Sequence, residues 1–293
     1  MNGIEPWIDA NPFLSGLGLR GRDGALLLHG DDALTYRGVL HGGVVAALAA
    51  ASAEAAVLAT LPKPVITAIQ IDYVRGGRTP PFSAGSTVVR AARDLSFAHG
   101  SVTEGDGEVI AQVSTVLART VHADAHGGTG AHGGTGGDAD VDAGGEAEPG
   151  GPETARGLRG DVADAEAATQ AIPYLADRAV HVTGIASGEI EMSIDPVERT
   201  LGEDGAVHCG AVLGLIDAAG ASVPWTVGAE AAGGVTVSLS ARFLRRAEPG
   251  ALRARARVRA RDERFTFCDI DVRNASSGAP VATASLLHRF SGR

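Results

Sequence analysis

The strongest constraint in this sequence is a stretch that occurs twice. Residues 40–54 read Leu-His-Gly-Gly-Val-Val-Ala-Ala-Leu-Ala-Ala-Ala-Ser-Ala-Glu, and residues 207–221 read Val-His-Cys-Gly-Ala-Val-Leu-Gly-Leu-Ile-Asp-Ala-Ala-Gly-Ala. Each is a turn of small residues that opens an apolar helix. The pattern around them repeats as well: His41 and His208 lie 167 residues apart, and Arg75/Arg245 and Phe97/Phe267 each lie 170 apart. Two copies at so long a period are a duplication, not a solenoid, which needs a shorter period and more copies. The copies differ at one chemically weighty position. Nine residues after the histidine, the second copy has Asp217 and the first has Ala50.

The element order supports the duplication. In the first half, a short helix or loop over 4–19 precedes a strand pair over 17–29 hinged at Arg22-Asp23-Gly24, since Asp-Gly suits a hairpin turn. A loop over 31–40 leads to the turn, and a helix is predicted over 42–61, stopped by Pro62 and Pro64. A β-branched strand follows at 65–75, then strands at 87–92, 97–104 and 109–117. The second half predicts a short helix over 161–175, strands at 179–183 and 188–194, and a loop at 196–207. A helix over 209–223, stopped by Pro224, precedes strands at 235–245, 252–260, 265–272 and 281–287.

Between the halves the composition changes. Of the net charge of −10, residues 121–156 carry −6, and 1–120 and 157–293 carry about −2 each. Residues 122–156 hold 11 glycines and seven acidic residues and, valines apart, no large apolar side chain. Such a stretch cannot bury enough apolar area to offset its ordering entropy. A flexible linker over 121–156 is expected, dividing an N-terminal domain (1–120) from a C-terminal one (157–293). His122, His126 and His132 lie in it, but without cysteines or fixed geometry no metal site is expected there.

Several function classes recede. No domain is basic, which argues against nucleic acid as a partner. The run 42–61 has membrane-spanning length, but it is mostly alanine and contains Glu54, so a buried helix is expected. The two cysteines, Cys209 and Cys268, form no disulfide framework or zinc spacing, and residues 1–9 show no signal-peptide pattern. A cytoplasmic location is expected. The alternating Arg253, Arg255, Arg257, Arg259 and Arg261 share one strand face, read here as a solvated face rather than a phosphate grip.

The strand pair, the His-Gly-Gly turn, the long helix and the strand ending Tyr/Phe-Val/Leu-Arg together resemble the hotdog-fold acyl-CoA thioesterase superfamily. The nearest likeness is the branch of phenylacetate-pathway and 4-hydroxybenzoyl-CoA thioesterases, present here in two tandem copies. The resemblance implies an α+β chain, a double hotdog, with an antiparallel sheet wrapped around a central helix in each half. The halves would pair as an intramolecular pseudo-dimer; a homodimer of the tandem chain stays open. It also implies that carboxylate and oxyanion turn come from opposite halves, joining Asp217 to the Gly42 turn and leaving Ala50 opposite Cys209.

The chemistry of the residues agrees. Thioester hydrolysis needs donors for the developing oxyanion and a carboxylate to attack or to activate water. A glycine turn at a helix N-terminus supplies free N–H groups backed by the helix dipole. By the resemblance, Gly42 N–H binds the carbonyl oxygen, Thr35 (where the family often has asparagine) assists, and Thr236 orients water. His41, Gly43, Glu54, His208 and Cys209 are secondary candidates, the histidines as supports of the turns and Glu54 as a substitute for the acid missing at Ala50. The expected activity is hydrolysis of an acyl-CoA, with coenzyme A part of the substrate, no metal and no other cofactor. The alternatives are a non-enzymatic acyl-CoA-binding protein and a hotdog hydratase or dehydratase.

Overall fold

The computed structural model describes residues 4–61, 63–119, 161–227 and 233–290. The linker expected over 121–156 and the helix stop at Pro62 lie outside the described residues. Each half opens with short helices: α1 (Ile4–Asp9) and α2 (Pro12–Gly16) in the first, α4 (Val162–Gln170) and α5 (Pro173–Ala176) in the second. Pro12 and Pro173 each stand at the start of a helix, where the missing N–H costs nothing. The first hairpin, β1 (Leu19–Arg22) and β2 (Ala25–Leu28), turns at Asp23 and Gly24, both with positive φ, as the Asp-Gly pair predicted.

The expected loop over 31–40 contains a second small hairpin, β3 (Thr35–Tyr36) and β4 (Val39–Leu40), turning at Arg37-Gly38. Two-residue strands carry too little alternation to read from sequence. The central helix α3 (Gly42–Val57) ends four residues earlier than predicted, where Thr60 and Leu61 both turn back to the Val57 carbonyl. Strands β5 (Pro64–Tyr73), β6 (Phe82–Ala91), β7 (Leu95–Thr103) and β8 (Val109–Arg119) follow. The second half repeats the scheme with β9 (Val180–Ala186), β10 (Glu189–Ile194), α6 (Cys209–Ser222), β11 (Gly234–Phe243), β12 (Leu252–Arg261), β13 (Phe265–Asn274) and β14 (Pro280–Phe290). Pro224 falls in a 3-10 turn that extends α6 to Val227.

The strands form one twelve-stranded antiparallel sheet in the order β1-β2-β6-β7-β8-β5-β11-β14-β13-β12-β10-β9. The halves join edge to edge where β5 pairs with β11, from Ala68↔Arg242 to Asp72↔Ser238. That pairing removes an exposed edge from each half. Residues of β12 alternate strictly between buried and exposed at its start, with Leu252, Ala254 and Ala256 inward and the arginines outward. Arg255 and Arg257 bond Glu189, Arg253 pairs with Glu191, and Arg259 with Asp269. These arginines are therefore engaged by carboxylates on the outer face of the sheet.

Helices α3 and α6 lie on the inner face, packed against their own sheet halves and against each other. Nearly every residue of both is buried, which is why neither shows an amphipathic stripe: a helix covered on all sides is apolar all round. The segment Cys209–Val227 is long and apolar enough to cross a membrane by length and composition, but it is the enclosed core helix of this half. The two helices are antiparallel, for the start of each lies beside the interior of the other. Their approach is set by glycine: a Cβ on Gly43 would stand 2.9 Å from Gly214 Cα, so the backbones pass with no room for a side chain.

Candidate active site

The sequence places three things at the start of α3: an N-capping histidine, two glycines, and the helix dipole. His41 Nδ1 accepts the Gly43 N–H at 3.0 Å. Among the described residues, the Gly42 N–H has no acceptor. It is one of the free donors that a helix N-terminus leaves over. Because Nδ1 of His41 is an acceptor, the ring proton sits on Nε2. Burial and the Arg178 charge lower the His41 pKa to about 4, so the ring is neutral and a poor base. Its role is to hold the turn.

Asp217, two turns into α6, is 3 % exposed and faces this turn from the other half. The contact is tight: a Cβ on Gly42 would lie 2.6 Å from Asp217 Oδ2 and 2.9 Å from Oδ1. Glycine at 42 is thus required by the carboxylate itself. Thr236 Oγ1 donates to Asp217 Oδ1 at 2.9 Å. Burial raises the Asp217 pKa to about 6, while the Thr236 hydroxyl and the Gly43 N–H pull it back. A carboxylate poised there is ionised at neutral pH yet basic enough to accept a proton. His41 Nδ1 lies 3.8 Å from Asp217 Oδ2, but with a neutral ring this is proximity and not an ion pair.

Thr236 lies at the edge of a β-bulge that both halves share. The register of β11 on β14 shifts between Thr236 and Ser238. In the first half the bulge falls between Ile66 and Ala68, so Ile66 occupies the place of Thr236. Thr67, one residue on, points its hydroxyl at the Val116 carbonyl, 3.0 Å away. A one-residue offset in a strand sends a side chain to the other face. Thr35 sits in the small hairpin before the turn, with its hydroxyl donating to the Asp32 carbonyl at 3.0 Å.

Two tyrosines of this site were not singled out from the sequence. Tyr73, at the end of β5, donates to the Gly42 carbonyl at 3.3 Å; burial first, and then the Asp217 charge, raise its pKa. Tyr174 of α5 packs on the His41 ring with centroids 4.8 Å apart, and among the described residues its buried hydroxyl has no hydrogen-bond partner. The repeat itself held the signal. The counterparts are Phe243 and Phe13, and Phe13 stacks on the His208 ring at 4.7 Å. Each leading helix therefore covers the histidine of the opposite half, and both hydroxyl-bearing members fall on the Asp217 side.

The opposite turn is built differently. His208 Nδ1 accepts the Gly210 N–H at 3.0 Å, as in the first half. Ala50 is buried where an acid would stand. Glu54, one turn further along α3, reaches back instead: Cys209 Sγ donates to Glu54 Oε1 at 3.3 Å, and His208 Nε2 lies 3.6 Å from Oε2. Helical side chains lean toward their own N-terminus, so Glu54 leans into the space left by Ala50. Burial raises its pKa to about 7, partly offset by the Cys209 bond and the Arg246 charge. The three ligand-type atoms of Glu54, His208 and Cys209 lie within 4.8 Å of one another. The His208 tautomer opposes a cation, since with Nδ1 accepting an N–H the proton occupies Nε2, the atom that would have to ligate.

Comparison with known proteins follows this division. The family model of the acyl-CoA thioesterase N-terminal domain matches residues 31–118, and that of the thioesterase superfamily matches 204–281. The chain belongs to the hotdog-fold thioesterase superfamily, as two tandem domains. Solved structures similar along the whole chain include a TesB protein of Mycobacterium avium subspecies paratuberculosis (13% identity, 96% of this chain and 98% of that one, TM-score 0.63). An acyl-CoA thioesterase II, TesB2, of Mycobacterium marinum is also similar (14%, 94% and 96%, TM-score 0.60). So is a hotdog-fold protein of Alicyclobacillus acidocaldarius (16%, 94% and 96%, TM-score 0.62). At such identities the likeness is one of fold. A search of curated proteins found no match.

Proposed function

We propose that this protein hydrolyses acyl-CoA thioesters at one composite site, with the carboxylate from the second half and the oxyanion turn from the first. The observation that carries this reading is the Asp217 carboxylate, buried and raised to about 6, seated against the unpaired N–H of the Gly42 turn. The thioester carbonyl oxygen accepts the Gly42 N–H. Asp217, held by Thr236, takes a proton from water, and the hydroxide so formed attacks the carbonyl carbon. The tetrahedral oxyanion is stabilised by the N–H and the α3 dipole. Collapse breaks the C–S bond, and the proton on Asp217 passes to the departing CoA thiolate.

These residues perform every step without a metal or redox cofactor, and coenzyme A enters only as part of the substrate. The two halves supply to one chain what a pair of single domains would supply to a dimer. Two free cysteines and an acidic composition fit a cytoplasmic enzyme. The test is release of free thiol from acetyl-, octanoyl- and benzoyl-CoA by the full chain. Multiple turnovers on one of them support the reading; binding of all three without thiol release overturns it.

A further inference from the structure

The turn at Cys209 is not a blank copy of the turn at Gly42. In the first site the space beside the turn is filled by the Asp217 carboxylate, where a Cβ on Gly42 would lie 2.6 Å from Oδ2. In the second site a side chain does occupy that place, and it ends in a thiol. Cys209 Sγ donates to Glu54 Oε1 at 3.3 Å, and among the described residues the other oxygen of this 7 %-exposed glutamate has no hydrogen-bond partner. Among the described residues the Cys209 N–H also has no acceptor, so it is a free donor at the first position of the 14-residue helix α6. The thiol, the base and the oxyanion donor thus converge on one partly buried residue.

We propose that Cys209 is a second acyl-transfer site, at which its thiol exchanges with an acyl thioester, assisted by Glu54. Sγ attacks the thioester carbonyl carbon while its proton passes to Glu54. The Cys209 N–H donates a hydrogen bond to the carbonyl oxygen, on which negative charge develops. The bond from carbonyl carbon to the departing sulfur then breaks, and the proton on Glu54 goes to that thiolate. The products are an S-acyl Cys209 and a free thiol, so one thioester replaces another with no oxidant and no net change in bond type.

The surroundings favour exchange over a second hydrolysis. Among the described residues no hydroxyl bonds Glu54 as Thr236 bonds Asp217: Thr67 is turned to the Val116 carbonyl, and Phe243 and Phe13 stand in place of the two tyrosines. The thiol also stands between Glu54 and the turn. A base is required, since burial and the neighbouring Glu54 hold the resting thiol protonated. Glu54, raised to about 7, is suited to take that proton near neutrality. Among the described residues Cys268 has no hydrogen-bond partner of this kind, and it is 1 % exposed, so it serves as an internal control.

The inference rests on the reading that this fold accepts acyl-CoA, and its test separates the two. The full chain carrying Asp217→Asn, which suppresses hydrolysis, is incubated with acetyl-, octanoyl- or benzoyl-CoA, quenched in acid and analysed by intact-mass and peptide-mapping mass spectrometry. One hydroxylamine-labile acyl increment on Cys209 is expected with at least one donor, absent when Cys209→Ala is added. Adding Glu54→Gln, with folding checked by circular dichroism, slows its formation by about tenfold or more. Absence of acyl on Cys209 with all three donors, equal labelling of Cys268, or a rate indifferent to Glu54→Gln overturns the proposal. Hydrolysis by the parent chain without acylation of the Asp217→Asn chain sinks this inference alone; acylation by a chain that never turns over sinks the hydrolase reading alone.

Discussion

Gly42→Ala isolates the contact that defines the composite site. Position 42 is the first residue of α3 and has ordinary helical backbone, so alanine is locally acceptable and, by helix propensity, slightly favourable. The equivalent Cys209 shows that the fold accepts a side chain at this point. The added methyl, however, would stand 2.6 Å from Asp217 Oδ2 and 2.9 Å from Oδ1. An unstrained C···O contact is about 3.3 Å or more, so the carboxylate must retreat by roughly 0.4–0.7 Å. That movement strains its 2.9 Å bond from Thr236 and takes it off the line of attack. Misplacement of a reacting group on this scale costs on the order of 10²-fold in rate, about 2.7 kcal/mol of barrier. The assay is thiol release from the best acyl-CoA, with thermal unfolding of the same samples. The expected result is kcat down by about 10²-fold with a melting temperature within a few degrees of the parent. Unchanged kcat would refute the argument that Asp217 and the Gly42 turn form one site.

Other consequences follow from the same geometry. Thr236→Val keeps the shape but removes the hydroxyl from Asp217 Oδ1, so the carboxyl pKa rises further and kcat falls about tenfold near pH 7, read from a pH–rate profile. In the parent, kcat increases with pH through about 6, as Asp217 ionises, and a profile flat from pH 5 to 8 would contradict its role as base. Glu54→Gln stabilises the fold. The Glu54 pKa is raised from 4.5 to about 7, so the parent's stability is fullest below 4.5 and falls as pH rises through 7. The advantage of the variant should therefore grow from pH 5 to pH 8, to on the order of 2–3 kcal/mol by denaturant unfolding. His41 and His208, with pKa values lowered to about 4, act in the opposite sense, contributing stability above about 6.5 that is lost as pH falls toward 4.

The duplicated frame made most of the fold legible. Once two histidine turns were aligned, helix and strand order in one half checked the other; which edge strands join the halves, β5 and β11 over five residue pairs, came only from the structure. What escaped were features set by tertiary contact. The β3–β4 hairpin is two residues per strand, too short for a period. The end of α3 is decided by turning at Val57, ahead of the prolines. In the site, Asp217 stood out because an acid in an apolar helix demands a reason. Tyr73 and Tyr174 did not, because aromatic residues at strand ends and short helices are ordinary core. Comparing them with Phe243 and Phe13 would have shown that both hydroxyls belong to one site. Glu54 lay one turn from the expected acid, and only the lean of helical side chains explains how it reaches Cys209.

The most direct measurement is the steady-state rate of Asp217→Asn on an acyl-CoA that the parent chain hydrolyses. Asparagine preserves the size of the side chain and its contact with Thr236 but cannot take a proton from water. If Asp217 is the base of the one hydrolytic site, kcat falls by about 10²–10⁴-fold while the fold is retained. Activity within a few-fold of the parent would show that hydrolysis occurs elsewhere, and the account of a site shared between the two halves would be wrong.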